Sequence, residues 1–427
     1  MDLLLQHISP HWAGEFSTFE WSLIIAAIAI TTVFLFSFAF WKQPIWRGNQ
    51  IFYENKKGLL TKFFLIYSLI AVGMALQIGG GKWDVTWHIL QRPETFFTPP
   101  HAVLYAGVAL TVSAAGAGLY LKVRSKQTKG NLLSFSDPIF FAVVGSIMQI
   151  IAGASDFSWH STFGFDGLLS PPHALLVSGM VVNSLAASKG LTTMLNQVKS
   201  SPTRIIAILA LALSLAVLWM CSVALLDLYT YPWSNGEHFN FNPDPRVAAL
   251  SATIAYPLIG PFIALLALKV LPIKYPFTIV TGVYIAIIFL ANILPDENLH
   301  GSMPYYALNL LVAFAIDHIY KATRFIHNSS KAKIIVIGSL FGPFFISMYF
   351  PGIMAVYQEP LRMAEEELRI EEAVFLPLIY QTELRIVLIP SILIGITGSA
   401  LGAIAGKMWL ERTTLGWLQR ENERPVI

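Results

Sequence analysis

Charged side chains are scarce in this sequence, and their scarcity excludes an ordinary soluble domain. Only 12% of the 427 residues are Asp, Glu, Lys or Arg, whereas 55% are hydrophobic. Soluble domains carry about 25% charged residues. The mean hydropathy of +0.61 agrees with this comparison. The composition therefore predicts an integral membrane protein.

Cysteine is almost absent, which excludes a disulfide framework or a thiolate metal cluster within one chain. The only cysteine is Cys221, inside an apolar stretch. The sequence also has no Walker loop, dinucleotide-binding glycine fingerprint, nucleophile elbow or CxxCH haem motif in a suitable context. The net charge of +3 gives no support for nucleic-acid binding.

Long apolar stretches dominate instead, and about eleven of them are long enough to cross a bilayer as helices. We therefore predict an all-α, polytopic integral membrane protein in contact with the lipid bilayer. The stretches lie near residues 20–41, 61–80, 101–122, 137–154, 173–193, 204–226, 247–269, 275–294, 304–320, 333–350 and 384–406.

The distribution of charge predicts which side of the cell membrane each loop occupies. Alternating the spans puts most Lys and Arg residues on one side, which the positive-inside rule makes cytoplasmic. The N-terminus is then outside and the C-terminus inside. Most acidic residues and histidines fall on the extracytoplasmic side, a pattern that favours a cation-binding surface over chance accumulation in polar loops.

One segment occurs twice without a gap, at an offset of 72 residues. Residues 83–107 read WDVTWHILQRPETFFTPPHAVLYAG, and residues 155–179 read SDFSWHSTFGFDGLLSPPHALLVSG. An apolar helix precedes and follows each copy. Each unit thus has two spans and returns the chain to the same side, so both motifs are predicted to face outward.

The polar residues of the motif have a spacing that suits a metal ion. In each copy an Asp and a His are one helical turn apart, and a second His follows a Pro-Pro at the predicted start of the next helix. These six candidate ligands are Asp84, His88, His101, Asp156, His160 and His173. Two nitrogens and one oxygen suit Cu, Zn, Fe or Ni, and copper binds such ligands most tightly.

Four neighbouring residues are candidates for supporting roles at these sites. Glu94 and Asp166 can orient an imidazole N–H. Trp87 and Trp159 suit the membrane interface and can shield the sites from water. Helix capping by Asp or His explains any one of the motif residues, but not the same trio with the same loop length twice.

Weaker copies of the spacing follow later in the chain. Asp227 and Asp244 repeat the separation of the first and last ligands, and Asp296 and His300 repeat the first pair. Degenerate repeats and chance spacing explain these echoes about equally well, so they are weaker metal candidates.

The motif resembles a metal-binding segment, D-x2-W-H-x5-D-T-x2-T-P-x-H, of the copper membrane monooxygenases, the particulate methane and ammonia monooxygenases, in which one of the membrane subunits contains it. The first copy has Glu94 where that pattern has Asp, and the second has Ser170 in place of Thr. The resemblance covers two segments of about 25 residues. It implies that the Asp and the two His of each copy bind copper, near a candidate site of O2 activation and hydroxylation.

The predicted organisation has five parts. Residues 1–60 form an N-terminal segment with the first span, 61–130 the first metal-motif repeat, 131–203 the second, 204–331 four further helices, and 332–427 two C-terminal helices with an acidic outer loop.

Three classes of function remain open at this point. The first is a copper-dependent membrane oxidoreductase resembling part of a monooxygenase, with other membrane subunits or an extracytoplasmic electron donor as partners. The second is a copper-handling or assembly protein without catalysis. The third is an intramembrane zinc hydrolase, in which the metal activates water. The sequence favours the first narrowly over the second.

Overall fold

The computed structural model of the protein describes residues 56–89, 98–124, 137–163, 170–195, 201–230, 245–293, 303–322, 329–344 and 384–421. These ranges contain ten α-helices and no β-strand, as predicted for an all-α protein. The helices are α1 Lys56–Ile89, α2 Pro99–Arg124, α3 Pro138–Phe163, α4 Pro171–Leu195, α5 Ser201–Thr230, α6 Pro245–Val270, α7 Pro276–Ile288, α8 Met303–Ala322, α9 Ser329–Phe344 and α10 Leu384–Glu421. A π-helical turn, Phe289–Ile293, continues α7.

Six of the described helices are long and apolar enough to cross a membrane, namely α1 to α5 and α10. Shorter apolar segments occupy Tyr256–Val270 of α6 and Pro276–Ala291 of α7 and its π-helical turn. The chain therefore has the helices of a multi-pass membrane protein. The first predicted span, near residues 20–41, and the acidic connection of residues 351–383 lie outside the described residues.

Helices α1 and α2 (repeat 1) and helices α3 and α4 (repeat 2) form two antiparallel pairs with equivalent contacts. Gly73 faces Gly107 in the first pair, and Gly145 faces Gly179 in the second. A Cβ at any of the four would lie closer than 3.0 Å to a backbone oxygen of the facing helix. Glycine is needed at these positions because only its missing side chain lets the backbones approach this closely.

The two repeats also close on each other in a two-fold manner. Gly118 near the end of α2 packs against Ile139 at the start of α3, and Gly190 near the end of α4 packs against Tyr67 of α1. The two glycines are equivalent in the 72-residue repeat, as are Tyr67 and Ile139. Helix α4 thus meets α1 as α2 meets α3, so a pseudo-two-fold axis runs along the bundle.

This symmetry places both copies of the motif at one end of the four-helix bundle. The C-terminal ends of α1 and α3 and the N-terminal ends of α2 and α4 meet there. We call this the motif end. Helices α1 and α3 continue beyond their most apolar stretches, to Ile89 and Phe163, so the first half of each motif is helical.

The remaining helices pack on this bundle through aromatic and small residues. Trp219 of α5 stacks on Phe277 and Tyr284 of α7, with ring centroids 5.4 Å and 4.7 Å apart. Helix α10 lies along α6, where Gly398 and Gly402 face the backbone oxygens of Leu258 and Phe262. Their four-residue spacing puts both glycines on one face of α10.

A buried carboxylate caps the start of α7 from a different helix. Asp317 of α8 accepts hydrogen bonds from the backbone N–H groups of Phe277 and Thr278, at 3.3 Å and 2.9 Å, and from the Thr278 hydroxyl at 2.7 Å. These donors belong to the first turn of α7, which has no earlier carbonyls to accept them. Asp317 therefore has a structural role in joining α8 to α7.

Candidate functional site

An acid and an imidazole from different helices meet at the motif end of repeat 1. Oδ1 of Asp84, near the end of α1, lies 3.1 Å from Nε2 of His101, in the first turn of α2. Both side chains are about one-fifth exposed (19% and 18%). The loop between the two helices thus folds back far enough to bring the first and last polar residues of the motif together.

Repeat 2 makes the same contact at the equivalent positions. Oδ1 of Asp156, near the end of α3, lies 3.3 Å from Nε2 of His173, in the first turn of α4. These two side chains are somewhat more exposed than those of repeat 1, at 31% and 24%. The two acid–imidazole pairs are therefore related by the pseudo-two-fold axis.

The residues before each histidine explain why it sits in the first turn of a helix. The carbonyls of Thr98 and Ser170 accept the backbone N–H groups of Ala102 and Ala174, both at 2.9 Å, so each begins a helix as its N-cap. The Ser170 hydroxyl also accepts the backbone N–H of His173 at 3.2 Å. The two prolines that follow each cap suit a first turn, because N–H groups there have no helical partner.

The third candidate ligand of each trio is described only by its backbone. His88 and His160 lie in α1 and α3, one helical turn beyond Asp84 and Asp156. Residues four apart project from the same face of a helix. Among the side chains that the structure describes, no three His, Cys, Asp or Glu residues form a group that could hold a metal ion.

The separation of the two described atoms in each pair suits metal ligation as well as a hydrogen bond. Metal–N and metal–O bonds of about 2.0–2.2 Å put two neighbouring ligand atoms about 3.0–3.4 Å apart at octahedral to tetrahedral angles. The separations of 3.1 Å and 3.3 Å lie in that range. An imidazole and a carboxylate are also donors that first-row transition metals accept.

The surroundings of the two pairs are not identical. The ring of Tyr105 stacks on His101 with centroids 5.7 Å apart, whereas Val177 occupies the equivalent position beside His173. Trp87 and Trp159, the predicted shielding residues, are half-buried on α1 and α3. Glu94 and Asp166, the predicted orienting residues, lie outside the described residues, as do Asp244, Asp296 and His300.

Asp227, a weaker metal candidate, takes part in a buried polar cluster near the first pair. Oδ2 of Asp227 on α5 accepts a hydrogen bond from Nζ of Lys82 on α1 at 2.5 Å, and Oδ1 accepts one from the Tyr256 hydroxyl on α6. The Asp227 side chain is only 4% exposed. The carboxylate is thus charge-compensated by a lysine, which a metal ligand of this kind would not need.

Sequence reasoning missed Lys82 and Tyr256 because neither belongs to the repeated pattern. Ala154 replaces Lys82 at the equivalent position of repeat 2. The available signal was the presence of opposite charges, Lys82 and Asp227, within two otherwise apolar helices. Such charges in membrane helices are expected to find each other.

Comparison of the chain with protein-family models, with curated proteins and with solved structures finds no match.

Proposed function

We propose that this chain is a copper-binding membrane protein with two Asp/His/His sites, acting as a copper-dependent oxidoreductase or as a subunit of one. The observation that carries the proposal is the duplicated contact between an acid and an imidazole, Asp84 with His101 and Asp156 with His173. A hydrogen bond used only for stability would not need to be preserved in both repeats with the same loop length.

Each residue of a trio has a separate role in this proposal. Asp84 supplies an anionic oxygen from α1, His101 a nitrogen from α2, and His88 a second nitrogen one turn beyond the acid; Asp156, His173 and His160 do the same in repeat 2. Bound copper would supply one-electron redox chemistry. The partial exposure of the described pairs leaves each open on one side to small reactants.

The proposed topology has about eleven spans and puts the motif end on the extracytoplasmic side. Basic residues lie at the opposite end of the described bundle, where α2 ends with Lys122 and Arg124 and α4 carries Lys189 in its last turns. Lysine and arginine are enriched at the cytoplasmic ends of membrane helices. In this orientation an electron donor would approach from outside the cell membrane.

A copper-handling protein without catalysis is the second candidate, and the partial exposure of both pairs favours it. Sites that pass metal to another protein need an open face, and two equivalent open sites would fit this task. The two candidates differ in whether bound copper is reduced by a quinol and oxidised again by O2. The zinc hydrolase predicts bound zinc and no redox signal at all.

The test is metal analysis and EPR on the purified full-length protein and on three variants, His101→Ala, His173→Ala and the double substitution. We expect about two equivalents of copper in the wild type, about one in each single variant, and almost none in the double variant, because each trio holds one ion. Wild-type copper content in the double variant would refute the ligand assignment.

A histidine outside the sites provides the matched control. His318 on α8 contacts the backbone oxygen of Phe314 at 2.8 Å and stacks on the Phe314 ring, far along the chain from either motif. We expect His318→Ala to keep the copper content of the wild type. An equal loss of copper in this variant would mean that the metal binds histidines unselectively.

A further inference from the structure

Four polar side chains form a hydrogen-bonded chain through the interior of the α1–α4 bundle. Asn183 Nδ2 donates to Gln149 Oε1 at 3.3 Å, Gln149 Nε2 donates to Gln77 Oε1 at 2.7 Å, and Gln77 Nε2 donates to Thr111 Oγ1 at 3.0 Å. Each residue comes from a different helix. We call these four residues the amide chain.

The members of the amide chain occupy equivalent positions in the two repeats. Gln77 corresponds to Gln149, and Thr111 corresponds to Asn183, each at the 72-residue offset of the motif. The central hydrogen bond therefore joins equivalent residues across the pseudo-two-fold axis. A polar contact on the axis is the one place where each repeat touches its own counterpart.

Burial makes this contact consequential. Gln77, Thr111 and Asn183 are fully buried, and Gln149 is 2% exposed. Water cannot replace a lost partner in the apolar interior of a membrane bundle, so an unpaired amide there is unfavourable. The arrangement of helices that satisfies all four side chains is consequently preferred over rotated or shifted arrangements.

The residue types at the two ends suit the direction of the chain. Two glutamines facing each other across an axis cannot both donate, so one amide must give a hydrogen and the other must accept it. Gln149 is the donor, and its oxygen receives a hydrogen from the amide of Asn183. Gln77 is the acceptor, and its own amide finds an acceptor in the Thr111 hydroxyl.

The amide chain lies directly beneath both acid–imidazole pairs. Gln77 precedes Asp84 by seven residues on α1, and Gln149 precedes Asp156 by seven on α3. Seven residues are about two helical turns, so each glutamine lies on the same face as its aspartate and about 10 Å along the helix from it. A rotation of α1 or α3 that broke the amide chain would also turn the aspartate away from its histidine.

We propose that the amide chain is a positioning element shared by the two sites: Gln77 and Gln149 hold the repeats in register and thereby couple the geometry of one acid–imidazole pair to that of the other. The coupling to metal binding rests on the proposed function, whereas the role in holding the repeats together does not. Loss of a glutamine in one repeat should accordingly change the site in the other repeat.

The first experiment needs no metal. Unfolding of the full-length protein in detergent is measured for the wild type, Gln77→Leu, Gln149→Leu and the double substitution. We expect both single variants to unfold at lower temperature and the double variant to lose less than the sum, because each single change leaves one buried amide unpaired. Additive losses would overturn the contact between the two glutamines.

The second experiment measures the effect across the axis. In a His173→Ala background only the site of repeat 1 binds copper, and its affinity is compared with and without Gln149→Leu. Allosteric coupling of this kind typically changes affinity by about fivefold or more, and we expect a weakening of that size. An unchanged affinity would overturn the positioning role.

Two controls separate this role from general damage to the fold. Ser184 of repeat 2 is buried and donates to Cys221 at 3.5 Å, outside the amide chain. We expect Ser184→Ala to leave the site of repeat 1 unchanged; a loss equal to that of Gln149→Leu would count against the proposal. If the wild type binds no copper, the proposed function fails, and the unfolding experiment alone decides whether the amide chain holds the repeats together.

The repeat itself provides the second control, the exchange Thr111→Asn/Asn183→Thr. A glycine faces both positions, Gly73 opposite Thr111 and Gly145 opposite Asn183, so an asparagine has similar room at either. The exchanged ends allow the amide chain to run in the opposite direction. We expect stability and copper affinity near those of the wild type, and a loss as large as that of Gln77→Leu would contradict the hydrogen-bond direction as the reason for the two residue types.

Discussion

Lys82 and Asp227, separated by 145 residues in the sequence, form an ion pair between α1 and α5 with Nζ and Oδ2 2.5 Å apart. Repeat 2 has no counterpart, because Ala154 replaces the lysine. The pair therefore breaks the equivalence of the two repeats just below the first acid–imidazole pair. It also attaches the later helices to repeat 1 rather than to both repeats equally.

The first prediction concerns this ion pair. Lys82→Met should destabilise the protein by about 3 kcal/mol, the lower end of the range for breaking a buried pair, because it leaves the Asp227 carboxylate uncompensated. Lys82→Met/Asp227→Leu should be less destabilising than Lys82→Met alone, since no buried charge remains. Denaturant unfolding in detergent measures both, with the exposed Lys274→Met as a nearly neutral control. A double variant less stable than the single one would refute the account.

The second prediction concerns the glycines between paired helices. Gly107→Ala and Gly179→Ala should each cost about 1–3 kcal/mol, because the added methyl group overlaps the facing backbone. Gly116 on α2 has open space around it, so Gly116→Ala should be neutral or stabilising by up to about 1 kcal/mol. Thermal unfolding of the three variants decides the matter, and equal effects at Gly107 and Gly116 would contradict the close helix approach.

The third prediction concerns the cap supplied by Asp317. Asp317→Ala should lower the free energy of unfolding by about 1–3 kcal/mol, because buried donors at the start of α7 lose their acceptor. Asp317→Asn keeps one acceptor oxygen and should cost less. Copper content should stay at the wild-type level in both variants; its loss would give Asp317 a functional role beyond capping.

The fourth prediction concerns the difference between the two sites. Tyr105→Val replaces the ring stacked on His101 with the residue type that repeat 2 has at the equivalent position. We expect the copper EPR signals of the two sites, which should differ in the wild type, to become more alike. The signal of the repeat 2 site, isolated in a His101→Ala background, should not move on this substitution. If it does, the change is not local to His101.

The pairing of Asp84 with His101, and of Asp156 with His173, follows a pattern visible in the sequence. The four-residue spacing requires only a helix, and Pro-Pro before each histidine marks a helix start. The role of Asp227 was harder to predict, because its spacing to later residues suggested a metal motif while its actual partners, Lys82 and Tyr256, come from two other helices. Tertiary contacts of that kind leave no local pattern.

The amide chain shows a different limit of sequence reasoning. Gln77 and Gln149 are isolated polar residues in apolar helices, and they lie just before the segment in which the repeat is most obvious. Extending the 72-residue comparison towards the N-terminus pairs them, together with Gly73 and Gly145. The comparison does not reveal that the two glutamines contact each other, because that depends on how the helix pairs associate around the axis.

The return of α4 onto α1 has a consequence for how the chain could have grown. Repeats that stack in one direction leave a free face at each end, so further copies can always be added. Here the face that α2 offers to α3 is the face that α4 offers to α1, through Gly118 and Gly190. The ring is complete after two units, and a third copy would find no vacant surface of the same kind.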